Sequence, residues 1–257
     1  MTDKKTYFIS DFHLGVPTYE ESFDREKRIV YFLKKIKPTC AELFIVGDIF
    51  DFWFEYKTVV PKGFIRIQAT IAEYSDDGIP VHILQGNHDL WQFGYFEKEL
   101  GCKVYSKPII KTIAGKIFYI GHGDGLGPKQ WRFKFLIWVY QNYFFQRLFA
   151  FFHPTIGIGI ANWFSNRSKQ KNYLGENKFL EEKEFLIQHS RNFLELEHID
   201  YFVFGHRHLP VNYSLNKNSN YINLGDWINY NTYLEVDENN TQLKSFTEPE
   251  KSFVYGK

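Results

Sequence analysis

TYFISDFH at residues 6–13, LFIVGD at 43–48, VHILQGNHD at 81–89, KIFYIGHGD at 116–124 and YFVFGHRH at 201–208 share one shape. Each is an apolar, β-rich run that ends on residues able to bind a metal. Runs of this length without polar alternation predict strands buried on both faces. In the last four, glycine stands just before the polar residue: Gly47, Gly86, Gly121 and Gly205. The missing Cβ permits close backbone approach at a strand end.

Helical spacing fills the gaps between the first three runs. Ile29, Phe32, Leu33 and Ile36 mark a helix over 22–36, and Phe64, Ile67 and Ile71 another over 64–74. Alternating strands and helices predict an α/β fold, a layered sheet sandwich flanked by helices, with the ligand site at the strand C-termini. The tail reads differently. Residues 211–215, 219–224, 232–237 and 241–247 have the pattern of short antiparallel strands that extend or add a sheet.

The 257 residues suit one large domain, or a core with an insert. Cys40 and Cys102 form no CxxC pair, which argues against a disulfide framework or a cysteine zinc site and for a reducing compartment. Lys and Arg number 31 against 30 Asp and Glu, a net charge of +1, so no nucleic-acid partner is expected. The start, MTDKKTYFISD, has no signal-peptide core, and no long uncharged apolar run predicts a membrane span.

Aromatic residues make up 19% of the chain and concentrate in residues 125–175. That stretch holds fourteen aromatics and seven Lys or Arg but no Asp or Glu. Two helices, 129–152 and 155–166, are expected there, split at Pro154. The domain reading is a core of 1–124 and 176–257 carrying a basic-aromatic helical cap, 125–175. An ordinary pair of aromatic core helices is the plainer alternative.

The strand ends collect Asp11, His13, Asp48, Asn87, His122, His206 and His208. This oxygen and nitrogen donor set suits Mn²⁺, Fe²⁺ or Zn²⁺. Seven donors exceed one tetrahedral site, so two metals bridged by a carboxylate are the economical solution. Such pairs, about 3.5–4 Å apart, serve phosphoester hydrolysis. The remaining histidines read as structural: His82 packed within its strand, His153 at a helix end, and His189 and His198 solvated on a helix over 178–197. Asp226, in the GDW of 225–227, mimics the strand-end pattern and is taken as structural.

In order along the chain, Asp11-Phe12-His13, Gly47-Asp48 with Asp51, Gly86-Asn87-His88-Asp89, Gly121-His122 and Gly205-His206-Arg207-His208 resemble the five signature blocks of the calcineurin-like metallophosphoesterase superfamily. The resemblance implies one metal at Asp11, His13, Asp48 and His208, and a second at Asp48, Asn87, His122 and His206. It implies His88 at the scissile phosphate, with Asp89 orienting it. Asp51 and Asp124 would support the ligands. Mn²⁺ is the expected metal, with Fe²⁺ or Zn²⁺ as alternatives.

SDFHLG, GDIFDFWFEY, GNHDLW, GHGDGLGP, FGHRHLP and NLGDW together resemble the UDP-2,3-diacylglucosamine diphosphatases of lipid A biosynthesis. That family releases UMP and 2,3-diacylglucosamine 1-phosphate. Its proteobacterial branch has arginine at the position of His88, where this chain keeps the superfamily histidine. The resemblance implies that Ser168 and Asn172 help hold the substrate, and their i, i+4 spacing would put both on one helix face. Arg132, Phe135 and Trp138 would contact the lipid substrate. The implied location is cytoplasmic, peripheral on the inner membrane, with the inner leaflet as partner surface. A soluble phosphodiester or nucleotide substrate, and a metal-free scaffold, are the competing readings.

Overall fold

In the computed structural model, which describes residues 4–127, 131–159 and 179–247, two sheets pack face to face between helices. The strands are β1 (Lys5–Ile9), β2 (Cys40–Val46), β3 (Val81–Leu84), β4 (Lys103–Tyr105), β5 (Ile109–Ile113), β6 (Lys116–Gly121), β7 (Tyr201–Phe204), β8 (Pro210–Asn216), β9 (Ser219–Leu224), β10 (Thr232–Val236) and β11 (Thr241–Ser245). One sheet runs β11-β10-β1-β2-β3-β4 and the other β5-β6-β7-β9-β8. β1 to β4 are parallel, as are β6, β7 and β9. All of these strands therefore release their C-terminal loops along one edge.

Side-chain alternation explains why the strands read as unbroken apolar runs. Phe8, Phe44 and Val46 face the inter-sheet core with Phe118, Ile120 and Val203. Their neighbours Tyr7, Ile9, Leu43 and Ile45 face the opposite way, into a second core. That core lies under α1 (Tyr19–Ile36) and α2 (Ile65–Asp76), through Ile29, Phe32 and Leu33 and through Ile67 and Ile71. Phe202 and Phe204 meet Leu186 and Ile187 of the helix Phe185–Leu194 on the outer face of the second sheet. Both faces of the central parallel strands β1, β2, β3 and β7 are largely dry, so both residue parities are apolar.

α1 begins at Thr18, whose hydroxyl accepts from the Glu21 amide and donates to the Glu21 carboxylate, a reciprocal cap. The short α3 (Tyr95–Glu99) precedes β4. The tail strands do not form one added sheet. β8 and β9 join the second sheet, and β10 and β11 the first. β9 runs parallel to β7, so the GDW after it arrives at the same edge as GHRH.

The expected single helix over 129–152 is two: α4 (Trp131–Gln141) and α5 (Tyr143–Ala150). Asn142 breaks it. Its backbone is extended, and its side-chain oxygen accepts from the Phe144 amide to cap α5. Residues 154–159 are helical, and the remainder of the predicted 155–166 helix lies outside the described residues. The helix expected over 178–197 is confined to Phe185–Leu194. There His189 is not simply solvated, because its Nε2 lies 3.2 Å from the Tyr119 hydroxyl.

Candidate metal centre

The exits of β1, β2, β6, β7 and β9 are knitted together by their backbones, and that of β3 joins them through the His88 amide on the Asp48 carboxylate. The Asp11 amide donates to Gly47, and those of Phe12 and His13 donate to Asp48. The Gly205 amide donates to His122, and the Trp227 amide donates back to Asp11. Two glycines make this convergence possible. A Cβ on Gly86 would collide with the Asp48 carboxylate, and one on Gly205 with that of Asp11. Each glycine thus clears space for a carboxylate from another block.

Five of the seven sequence-derived ligands sit in the left-handed region: Asp11 (φ 56°), His13 (44°), Asp48 (54°), His206 (68°) and His208 (54°). Side chains other than glycine rarely adopt that conformation, and it costs of order 1–3 kcal/mol per residue. The surrounding hydrogen bonds hold it, and strain concentrated on the donor residues marks a functional site.

The side chains meet in two linked groups. His13 Nε2 lies 3.4 Å from Asp48 Oδ2, 3.7 Å from Asp11 Oδ1 and 3.2 Å from His208 Nε2. His208 Nε2 is 3.5 Å from Asp11 Oδ1. On the other side of Asp48, the same Oδ2 is 3.3 Å from His122 Nε2. His206 Nδ1 is 2.9 Å from Asn87 Oδ1. Asp48 Oδ1 is engaged separately, accepting from the His88 amide at 2.9 Å.

The contacts of His13 with Asp48 and His208 and of His122 with Asp48, at 3.2–3.4 Å, fit a shared cation. Donors about 2.1 Å from one ion, at tetrahedral or octahedral angles, lie roughly 3.0–3.4 Å apart. His122 supplies an independent test. Its Nδ1 donates to the Val46 carbonyl at 2.8 Å, leaving a lone pair on Nε2. That nitrogen is buried without a hydrogen-bond partner beside the Asp48 carboxylate. An orphaned, oriented imidazole lone pair is what a metal ligand requires.

The electrostatics agree. Burial alone would raise the Asp48 carboxyl, but the His122, His88 and His13 imidazoles outweigh it and hold it well below its usual range. Burial alone would lower His122, yet Asp48 and Asp11 draw it well above its ordinary value, which favours a proton on Nε2 facing Asp48; a bound cation would take that proton's place. The buried acids demand positive charge. Burial, reinforced by His122, pushes His206 down to about 3, so it is neutral and able to ligate.

His88 groups with His13 and Asp51 closely enough to share a cation, but it is more open than the buried histidines. Its side chain is 22% exposed, whereas His13 and His122 are 1% exposed. Its ring is fixed by Asp51, whose carbonyl is 2.8 Å and whose Oδ1 is 3.5 Å from Nδ1. Asp51 Oδ1 is also 3.3 Å from His13 Nδ1. Asp89 does not make the contact expected of it. Its carboxylate is taken by the Ile49 and Gly86 amides, both at 2.8 Å. The tight GNHD turn folds that side chain back over its own strand end. Burial, with Asp48 nearby, pushes Asp89 up to about 7.

Sequence reading missed the role of Asp226. It is buried, its Oδ1 accepts from the Asn229 and Tyr230 amides, and its Oδ2 lies 3.3 Å from His208 Nδ1. A carboxylate behind a ligating histidine sets its tautomer and raises its basicity. The signal was present in GDW, a sixth polar strand end after YINL.

Phe135 and Trp138 lie on α4, 61% and 56% exposed. Ser168 and Asn172 lie outside the described residues, as does the side chain of Arg132. The segment is docked by Trp91, which donates to the Tyr140 carbonyl at 2.7 Å, and by Phe149, whose ring packs at a tilt against Phe52, Phe54 and Trp91. Phe144 and Phe151 remain 68% and 94% exposed. That exposure excludes the ordinary core-helix alternative for α5, none of whose residues is buried.

Residues 4–210 match the family model of calcineurin-like phosphoesterases, and the chain belongs to that family of hydrolases. It is 35% identical to the UDP-2,3-diacylglucosamine hydrolase of Porphyromonas gingivalis, over 96% of this chain and 99% of that one. Proteins of the same name from Histophilus somni (27% identity, 93% of this chain and 99% of that one) and Haemophilus influenzae (26%, 91% and 96%) also align. Among the described residues, no helix is long and apolar enough to cross a membrane.

Proposed function

We propose that this chain hydrolyses the pyrophosphate of UDP-2,3-diacylglucosamine, giving UMP and 2,3-diacylglucosamine 1-phosphate. The observation that carries the chemistry is Asp48 Oδ2, placed 3.4 Å from His13 Nε2 and 3.3 Å from the orphaned His122 Nε2. Asp11, His13, Asp48 and His208 would hold one divalent metal, and Asp48, Asn87, His122 and His206 a second. Manganese fits the mixed oxygen and nitrogen donors. When bound, such a pair activates water and neutralises phosphate oxygens.

His88 would donate a proton from Nε2 to the leaving phosphate oxygen. Asp51 supports that role by holding Nδ1 and by placing a carboxylate beside the imidazolium. Asp89 contributes indirectly, by fixing the turn that presents Asn87 and His88. Water adds to the phosphorus bonded to uridine, and the bond to the sugar phosphate's oxygen breaks.

The full-length relative from Porphyromonas gingivalis supports the substrate. The exposed aromatics of α4 and α5 support a lipid and an inner-leaflet surface, with 1–124 and 176–257 as core and 125–175 as cap. Burying acyl chains contributes about 0.8 kcal/mol per methylene, so the lipid would dominate affinity. Incubation with UDP-2,3-diacylglucosamine in ¹⁸O water tests the reading. UMP carrying the label is expected. Label in the lipid phosphate would reverse the binding direction, and absence of UMP would refute the substrate.

A further inference from the structure

A cavity of about 240 Å³ opens beside the metal centre at His122. Its walls come from three parts of the chain. The β3 and β4 exits contribute Gln85 and Lys107, the loop after β6 contributes Asp124, and α4 contributes Trp138 and Gln141. None of these is a metal ligand. Asp124 follows His122 by two residues, so a group seated in the cavity could reach the metal centre with a phosphate.

We infer that this cavity binds the nucleoside end of the substrate, with Asp124 receiving the ribose hydroxyls and Gln85 and Gln141 the pyrimidine edge. The inference rests on the reading above, since it assigns one half of that substrate. The lining is mixed: Leu84, Leu90, Leu126, Ile137 and Trp138 supply apolar walls, and a nucleoside, unlike an acyl chain, uses both these and the polar groups. A carboxylate, an amine and two amides are polar groups that a hydrocarbon would leave unpaired. A ribose diol donates to a carboxylate, as in nucleotide sites generally. Uracil presents an N–H between two carbonyls, and a side-chain amide offers both an acceptor and a donor to it. Trp138 adds an aromatic face on which a base can stack. At about 240 Å³ the cavity is smaller than the roughly 300–1,000 Å³ of ordinary small-molecule pockets, so it takes one compact group and not a whole nucleotide-linked lipid. The acyl chains are left to the exposed aromatics elsewhere on α4 and α5.

The experiment uses the full chain loaded with Mn²⁺. Inhibition of bis-p-nitrophenyl phosphate hydrolysis is measured for UMP, dUMP, AMP and inorganic phosphate. UMP should inhibit at least tenfold more tightly than phosphate or AMP, and removing the 2′-hydroxyl in dUMP should lose about tenfold, as expected for a hydrogen bond to a charged group. In Asp124→Ala the UMP-to-dUMP ratio should collapse to about one. In Gln85→Ala and Gln141→Ala the UMP-to-AMP ratio should fall while the UMP-to-dUMP ratio persists. Each ratio is internal to one protein, so a general loss of activity does not disturb it. UMP binding no better than phosphate, or a UMP-to-dUMP ratio unchanged in Asp124→Ala, would overturn the inference. UMP selectivity without turnover of UDP-2,3-diacylglucosamine would uphold the pocket and refute the substrate. Turnover without UMP selectivity would do the reverse.

Discussion

At the strand exits, functional side chains are held from more than one direction. Asp48 is fixed by the His88 amide through one oxygen and faces two imidazoles with the other. His208 is held from behind by Asp226, and His13 from behind by Asp51. In α4 and α5 the organisation is reversed. Among the described residues, a hydrogen bond from Trp91, its ring contact with Tyr140 and the packing of Phe149 anchor a segment that leaves Phe135, Trp138, Phe144 and Phe151 exposed. The first region is preorganised for charge, and the second presents exposed apolar rings, which the proposed function assigns to the lipid. Chemistry and lipid affinity should therefore separate under mutation.

The largest effect is expected at Asp48. Asp48→Ala should remove most bound metal and nearly all activity toward any phosphodiester, because both proposed sites share that carboxylate. His88→Ala should retain both metals and slow turnover by about 10²–10⁴-fold, the usual contribution of a general acid. Metal analysis of the two purified variants distinguishes them. Full metal in Asp48→Ala, or metal loss in His88→Ala, would break the division between ligand and acid.

Asp226→Asn sharpens the comparison within the core. The amide would present N–H groups to His208 Nδ1 and favour the tautomer with its proton on Nε2. Metal affinity should fall about 10–100-fold, the usual effect of removing such a partner. Titration of the metal-free protein with Mn²⁺ measures it, and unaltered affinity would return Asp226 to a purely structural role.

The core was legible because two signals coincided: apolar runs long enough to be doubly buried, and a polar residue at the end of each. The antiparallel tail was legible strand by strand, but not its division between two sheets, because pairing partners leave no local mark. The Asn142 break was hidden by continuous apolar spacing on both sides, although asparagine is a strong cap. Asp89 was misplaced for a different reason. The family resemblance implied contact with His88, while the turn directs that carboxylate to the Gly86 and Ile49 amides. Asp51 reaches His88 only through the fold.

On the α4–α5 side, Phe144→Asp and Phe151→Asp should each weaken binding to anionic vesicles by about tenfold, since exposing or charging a buried phenyl ring removes about 1.5–3 kcal/mol at full burial. Hydrolysis of bis-p-nitrophenyl phosphate should not change, because neither ring touches the metal centre. Co-sedimentation with vesicles reads the first and a colorimetric assay the second. A parallel fall in both would tie the segment to the catalytic core.

The smallest expected effect separates the two regions by pH. Residues 125–175 contain no Asp or Glu, so acid leaves their carboxylate balance untouched. The core holds His82 stacked on Phe44 with ring centroids 4.4 Å apart, its Nδ1 3.0 Å from the Tyr105 hydroxyl. Burial, and then the Lys111 ammonium 3.4 Å from Nε2, push this imidazole down to about 4. In the unfolded chain it titrates near 6.5. Between those values the unfolded state binds the extra proton, so the neutral His82 contribution is complete above about pH 6.5 and declines as pH falls toward 4. His82→Gln keeps a polar partner for Tyr105 and removes the titration. Urea unfolding of both metal-free proteins from pH 7 to pH 4 should show the parent losing more stability than the variant across that window. Parallel curves would mean that His82 takes up its proton without leaving the fold.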